Sequence, residues 1–181
     1  MVQWEGQDAF QHFKAVADVL SQNEKAEAWI RAFDQKVKDV RTKLASHVKE
    51  GETFGVVVIG GYEKGQLRIY GGGNVGYTLF DALKFPMTEK VKQEMEKGGH
   101  ELGVNISMEQ LPEYASADRL FVVKFKNDPD FVKEIDDSKL WNNLPAVKNN
   151  KVYTVDDKLW FSYDVISISA QLDDAIKLLS K

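Results

Sequence analysis

Apolar residues recur at helical spacing through the first fifty positions, then give way to short apolar runs separated by polar stretches. Phe10, Phe13, Val16 and Leu20 mark one face of a first helix, and Asn23 with Glu24 breaks it and opens the next. Trp29, Phe33, Val37, Val40, Leu44 and Val48 form one stripe, which predicts a helix over residues 24–49 ended by Gly51. At 1.5 Å per residue this is a rod of roughly 40 Å, well beyond the mean helix of about 11–12 residues. A rod of that length either packs against a core or acts as a strut between units.

Beyond the rod the period changes. Residues 55–59 (GVVVI) are wholly apolar, as in a buried parallel strand. A turn at 60–65 leads to residues 66–70 (QLRIY), whose alternation suits an edge strand. Helices are predicted over 75–83 and 88–97, a brief strand over 104–106, and a short helix over 108–114 opened by Ser107-x-Glu109. A buried strand follows at 119–125 (RLFVVKF), then short helices at 128–136 and 139–147, a last strand at 151–155 (KVYTV) and an amphipathic helix at 162–179. Strands separated by helices predict an α/β fold. The expected architecture is a three-layer Rossmann-like sandwich, its parallel or mixed sheet covered by helices, preceded by the long helix. Residues 1–50 then form a helical segment, and residues 51–181 an α/β lobe.

Composition narrows the chemistry. The 181 residues are 43% hydrophobic and 29% charged, as in a globular protein. A net charge of −4 argues against a nucleic-acid-binding face. The absence of cysteine excludes thiol catalysis, disulfide scaffolds and zinc ribbons. His12, His47 and His100 are far apart in sequence and form no metal-ligand spacing. No apolar run reaches the ~20 residues of a membrane helix, and no signal-peptide order opens the chain.

The most informative stretch is QLRIYGGGNVGYTLF, where Gly71, Gly73 and Gly76 match the dinucleotide spacing G-x-G-x-x-G. That reading makes the chain a nucleotide-dependent enzyme using the turn at 71–76. It needs a central apolar strand before the glycines and a second buried strand ending in an acidic residue about 20 positions later. Here the preceding strand carries Gln66 and Arg68, and a Lys- and Glu-rich helix follows Pro86. The context fails. No P-loop, G-x-S-x-G elbow or triad replaces it, so the chain reads as a binding protein without catalysis.

Three segments together carry a family resemblance: NISMEQLPEYASADRLFVV, then WNNLPAVKNNKVYTVD at 141–156, then Leu159-Trp160. Their succession resembles the C-terminal lobe of iron-siderophore substrate-binding proteins of ABC importers, related to the ferrichrome, ferric-citrate and vitamin B12 binding proteins. The helix at 24–49 matches the helix that links the two lobes in that family. The resemblance implies a ferric siderophore held between lobes and delivered to a membrane permease. It also implies no cofactor, an N-terminal lobe not included in this chain, a monomer, and extracytoplasmic lipoprotein anchoring in the full-length protein.

The siderophore itself coordinates the iron, so the protein supplies cations and aromatic faces. By residue type and position, Arg68, Tyr70, Asn74 and Tyr77 flank the glycine turn, and Trp160, Phe161 and Tyr163 form a second wall. Glu109 is expected, from the resemblance, to dock on permease arginines. A haem or cobalamin binder of the same fold is the alternative, with Tyr70, Tyr77 or Tyr163 as the possible axial ligand of a haem.

Overall fold

Asp8 opens the first helix: its carboxylate accepts the amides of Phe10 and Gln11, and Gln11 reaches back to the Asp8 amide. This reciprocal cap satisfies donors that a helix start otherwise leaves unpaired. The computed structural model describes residues 8–61, 64–98 and 103–181. Helix α1 (Ala9–Val19) is followed by α2 (Asn23–Leu44), 22 residues long. The expected rod stops at Leu44 rather than 49, because the chain turns and Arg119 takes the His47 carbonyl at 2.7 Å.

The apolar stripe of α2 is packed, not free. Phe33, Val37, Val40 and Leu44 are buried in the core, and Lys36 bonds the Ser169 carbonyl and Asp173 of the last helix, both at 2.8 Å. Burying such side chains contributes on the order of 1.5–3 kcal/mol each, so the helix is anchored along one face.

Among the described residues, five strands form one mixed sheet in the order β3-β2-β1-β4-β5. These are β1 (Phe54–Ile59), β2 (Leu67–Tyr70), β3 (Gly103–Asn105), β4 (Arg119–Lys124) and β5 (Val152–Val155). β1, β4 and β5 run parallel, while β2 is antiparallel to both β1 and β3. β2 is therefore an inner strand, and the brief β3 is the edge. Its alternation has another cause: Leu67 and Ile69 are buried on one face, whereas Arg68 on the opposite face lines an open pocket.

Helices cover both faces. One face packs Val56, Val58, Phe121 and Val123 against α1, α2 and the final helix α10 (Val165–Leu179). The other packs Val57, Ile59, Leu120 and Val122 against the connections between strands. Those connections include α4 (Glu89–Lys97), α5 (Leu111–Tyr114), α6 (Pro129–Asp137), α7 (Lys139–Asn142) and α8 (Pro145–Lys148). The helix expected at 139–147 splits in two because Pro145 begins a new turn. The helix expected at 162–179 starts at Val165, capped by Asp164, and the turn α9 (Asp157–Trp160) precedes it.

The segment after β2 departs most from expectation. Instead of one α-helix over 75–83, a single turn α3 (Gly73–Gly76) runs into a π-helix (Tyr77–Ala82). The wider turn is seen in the Leu83 amide bonding the Thr78 carbonyl at 2.9 Å. Such bulges cluster at functional sites.

At the amino ends of the parallel strands lies a buried ion network. Arg119 bonds Glu52 through Nε at 3.0 Å and the Tyr153 hydroxyl at 3.0 Å, and Lys151 closes on the other Glu52 oxygen. Burial alone pushes the Glu52 carboxyl up, but bonds from Lys151, the Lys49 amide and Arg119 outweigh it and hold it at about 2. The unfolded chain titrates this group near 4.5, so its contribution is full above that pH and lost as pH falls through about 2. Arg119→Ala should lower unfolding free energy by about 3–5 kcal/mol in urea titrations. Glu52→Gln should flatten the fall in stability between pH 4.5 and 2. An unchanged urea midpoint for Arg119→Ala would contradict the role given to this network.

Candidate functional site

Chain direction creates the site. From β1 the chain turns toward β2, while from β4 it crosses to β5 on the opposite side. Connections that diverge leave a crevice outside the carboxyl ends of the parallel strands. A cavity of about 350 Å³ opens there, lined by Val58, Gly60, Gly61, Gln66, Arg68, Tyr70, Asn74 and Phe161. Four of the seven residues named from sequence thus share one wall. Arg68 lies opposite Val58 in the β1–β2 register, which brings it to the carboxyl end of β1.

Among the described residues Arg68 is held by neutral oxygens. One terminal nitrogen donates to the Gly103 carbonyl at 3.0 Å and the other to Asn105 Oδ1 at 3.4 Å, tying it to the edge strand. Its Nε is buried and has no acceptor, and no carboxylate lies within ion-pair distance among the described residues. The guanidinium sits 5.3 Å from the centre of the Tyr70 ring. A fixed cation with a spare N–H suits an oxygen-rich or anionic ligand.

The aromatic side of the pocket is a ring ladder. Phe161 stands edge-on to Tyr70, with ring centres 6.3 Å apart, and edge-on to Phe125 at 5.0 Å. Gln171, fully buried, fixes the segment carrying Phe161: its Nε2 donates to the Leu159 and Ser162 carbonyls, and Thr78 of the π-helix donates to its Oε1.

The rim consists of two glycine turns. Gly61 is tethered through its carbonyl by Asn127, and the Gly65 amide donates to Asp128 at 2.7 Å. Gly71 is needed for packing: a Cβ there would lie 2.3 Å from Met95 Cγ of α4. Gly73 has φ +38°, open to glycine, and Asn74 follows at φ 36° and ψ −125°. These geometries, not a phosphate, account for the glycines. With β2 antiparallel to both neighbours, no β-α-β nucleotide unit begins at residues 71–76.

Three expected site residues lie elsewhere. Trp160 is completely buried, packed 5.0 Å from the Phe121 ring, with its indole N–H donating to Asp174 at 2.8 Å. It supports the wall instead of forming it, because the one-turn helix α9 points it inward and leaves Phe161 outside. Tyr77 and Tyr163 pair 5.8 Å apart beneath α1, where Tyr77 also stacks on Phe10. Tyr163 borders a separate apolar groove of about 250 Å³ with Phe13, Val16 and Ile166. Burial, followed by the neighbouring Tyr163 and then nearby acidic groups, pushes the Tyr77 phenol far up, and burial likewise raises Tyr163.

Glu109 is exposed in a three-residue 3-10 turn (Met108–Gln110) capped reciprocally by Ser107 and Gln110. The Ser107 hydroxyl and its own amide hold its carboxyl below the usual carboxylate range. His100 lies outside the described residues. Sequence reasoning missed Gly60, Gly61 and Gln66, although a glycine pair directly after an apolar strand was a usable signal.

A family model described as periplasmic binding protein matches residues 3–159. The chain belongs to the periplasmic binding protein family. It is 30% identical over 168 residues to the iron(3+)-hydroxamate-binding protein YxeB of Bacillus subtilis (strain 168), covering 91% of this chain and 51% of that protein. Against the iron(3+)-hydroxamate-binding protein FhuD of the same organism it is 28% identical, covering 99% and 56%. The chain thus spans about half the length of the curated relatives it matches. Staphylococcus aureus SirA complexed with staphyloferrin B superposes with a TM-score of 0.82 at 28% identity, covering 95% of this chain and 61% of that one. The FhuD fold-family protein BSU3320 of Bacillus subtilis gives 0.83 at 26% identity, covering 99% and 64%. This periplasmic binding protein family is one of binding proteins rather than enzymes.

The placement of Trp160 separates support from contact. Trp160→Ala should cost about 3–5 kcal/mol of stability through the cavity it leaves. Trp160→Phe should cost about 1 kcal/mol from the lost indole bond and leave ligand affinity within twofold. A selective loss of affinity in Trp160→Phe at full thermal stability would return the indole to the site.

Proposed function

We propose that the chain is the C-terminal, ligand-gripping lobe of an ABC-importer binding protein that captures a ferric siderophore. The observation that carries this reading is the pocket outside the carboxyl end of β1, where the Arg68 guanidinium meets the Tyr70–Phe161 ring ladder. A ferric chelate has its metal already coordinated, so recognition falls on the iron-bound oxygens and the organic arms. Arg68 donates to the oxygens, and the rings cover the arms and exclude water.

Relatives named for iron(3+)-hydroxamate binding make the hydroxamate class the first to test, and the SirA complex with staphyloferrin B adds a second chelate type. The rest of the grip comes from an N-terminal lobe, with α2 as the link between lobes. Glu109, exposed and ionised, is the permease contact of this lobe. The protein acts extracytoplasmically as a monomer without nucleic acid. A relative named as a probable siderophore-binding lipoprotein supports lipid anchoring of the full-length form. A haem reading has less support, because Tyr77 and Tyr163, two of its three candidate axial ligands, pair with each other beneath α1 and outside the pocket lining.

In the protein carrying both lobes, ferrioxamine B should quench intrinsic fluorescence saturably. Arg68→Ala should weaken this binding about tenfold or more, the scale of a lost charge-assisted bond. Equal affinity in Arg68→Ala would remove the pocket from the binding site. Rising thermal stability with NAD or ATP, and none with ferric chelates, would replace the reading altogether.

A further inference from the structure

Asn74 sits on the pocket wall in a conformation that is costly on two counts. Its φ of 36° and ψ of −125° lie in a sparsely populated region, and its buried Oδ1 has no hydrogen-bond partner. A strained residue with an orphaned acceptor persists only where its surroundings over-determine it. The neighbouring constraint is visible. The Gly73 amide, immediately before Asn74, donates to Asp81 Oδ2 at 2.9 Å. Asp81 belongs to the π-helix Tyr77–Ala82, eight positions along the chain, and the same carboxylate oxygen stands 3.6 Å from where a Gly72 Cβ would lie. The π-helix is itself fixed by the buried Thr78–Gln171 bond, and Gln171 also holds the Phe161 segment.

We infer that Asp81 is a positioning residue: by accepting the Gly73 amide it holds the strained turn closed and keeps Asn74 on the pocket wall, ready for the chelate. Asp81 lies outside the pocket lining and acts through the backbone of its neighbour. The inference rests on the siderophore-binding reading and adds to it a residue that no pocket contact would reveal. The turn and the Phe161 wall also share one support, since both lead back to the π-helix.

Two measurements test this, one of them without ligand. In the 181-residue chain, amide exchange followed by NMR should show the Gly73 amide protected. Asp81→Ala should speed its exchange at least about tenfold, while Asp81→Asn, whose carboxamide oxygen still accepts, should keep most of the protection. In the two-lobe protein, Asp81→Ala should weaken ferrioxamine B binding about fivefold to tenfold, with Asp81→Asn restoring it to within about threefold. The loss should vanish in an Asn74→Ala background, because a residue acting through Asn74 has nothing left to position. Full additivity of the two substitutions, unchanged or tighter binding in Asp81→Ala, or an unprotected Gly73 amide would overturn the inference. Weakening by Arg68→Ala with none by Asp81→Ala removes this inference alone. Failure of the unsubstituted protein to bind ferrioxamine B, staphyloferrin B and ferrichrome removes the siderophore reading as well, whatever the Gly73 amide shows.

Discussion

β1 runs parallel to β4 on one side and antiparallel to β2 on the other, and that change of direction decides where a ligand can enter. A strand buried along all six residues must be covered on both faces. The helices that cover it leave only its ends to the solvent. At the carboxyl end the chain departs toward β2, while the chain from β4 departs toward β5, and the crevice between the departures is the pocket. The antiparallel β2 then delivers Arg68 to that same end, which a parallel strand following a helix would not have done.

The two ends of the sheet handle charge in opposite ways. At the amino end, Glu52, Arg119 and Lys151 satisfy one another, with Arg119 also bonded to a backbone carbonyl and the Tyr153 hydroxyl. Breaking such a set leaves a buried charge alone, so it fixes structure. At the carboxyl end, Arg68 is oriented by neutral acceptors from β3, with no carboxylate within ion-pair distance among the described residues. The same contrast separates the aromatic residues: Trp160 has its N–H satisfied by Asp174 and is sealed in the core, whereas Phe161 next to it faces the pocket.

Much of the fold was legible because burial writes itself into period. The stripe from Phe33 to Leu44, the apolar run in β1 and the run in β4 each predicted an element within a few residues of its observed bounds. The failures have specific causes. Residues 66–70 alternated like an edge strand because one of their faces opens on a pocket, a distinction that hydrophobic pattern does not encode. Residues 75–83 carried a helical pattern, yet the π-helix there is tied to the last helix by a bond between Thr78 and Gln171, 93 positions apart, which no local pattern encodes. Arg68, Tyr70, Asn74 and Phe161 were recognisable by chemistry and by their place beside a turn. Trp160 was not separable from Phe161, because one residue of register in a single-turn helix decides which ring faces out. Asp81 gave no signal, since its partner is a backbone amide and its carboxylate looks like any solvated one.

The proposed grip places a ferric chelate against Arg68 at the carboxyl end of β1. A crystal structure of the two-lobe protein grown with ferrioxamine B, with iron located by its anomalous scattering, tests it most directly. A single iron peak is expected in the crevice beside the Arg68 guanidinium and the Phe161 ring, with chelate oxygens within hydrogen-bond reach of Arg68. Iron bound instead in the groove bordered by Tyr163 and Ile166, with the Arg68 pocket empty, would contradict it.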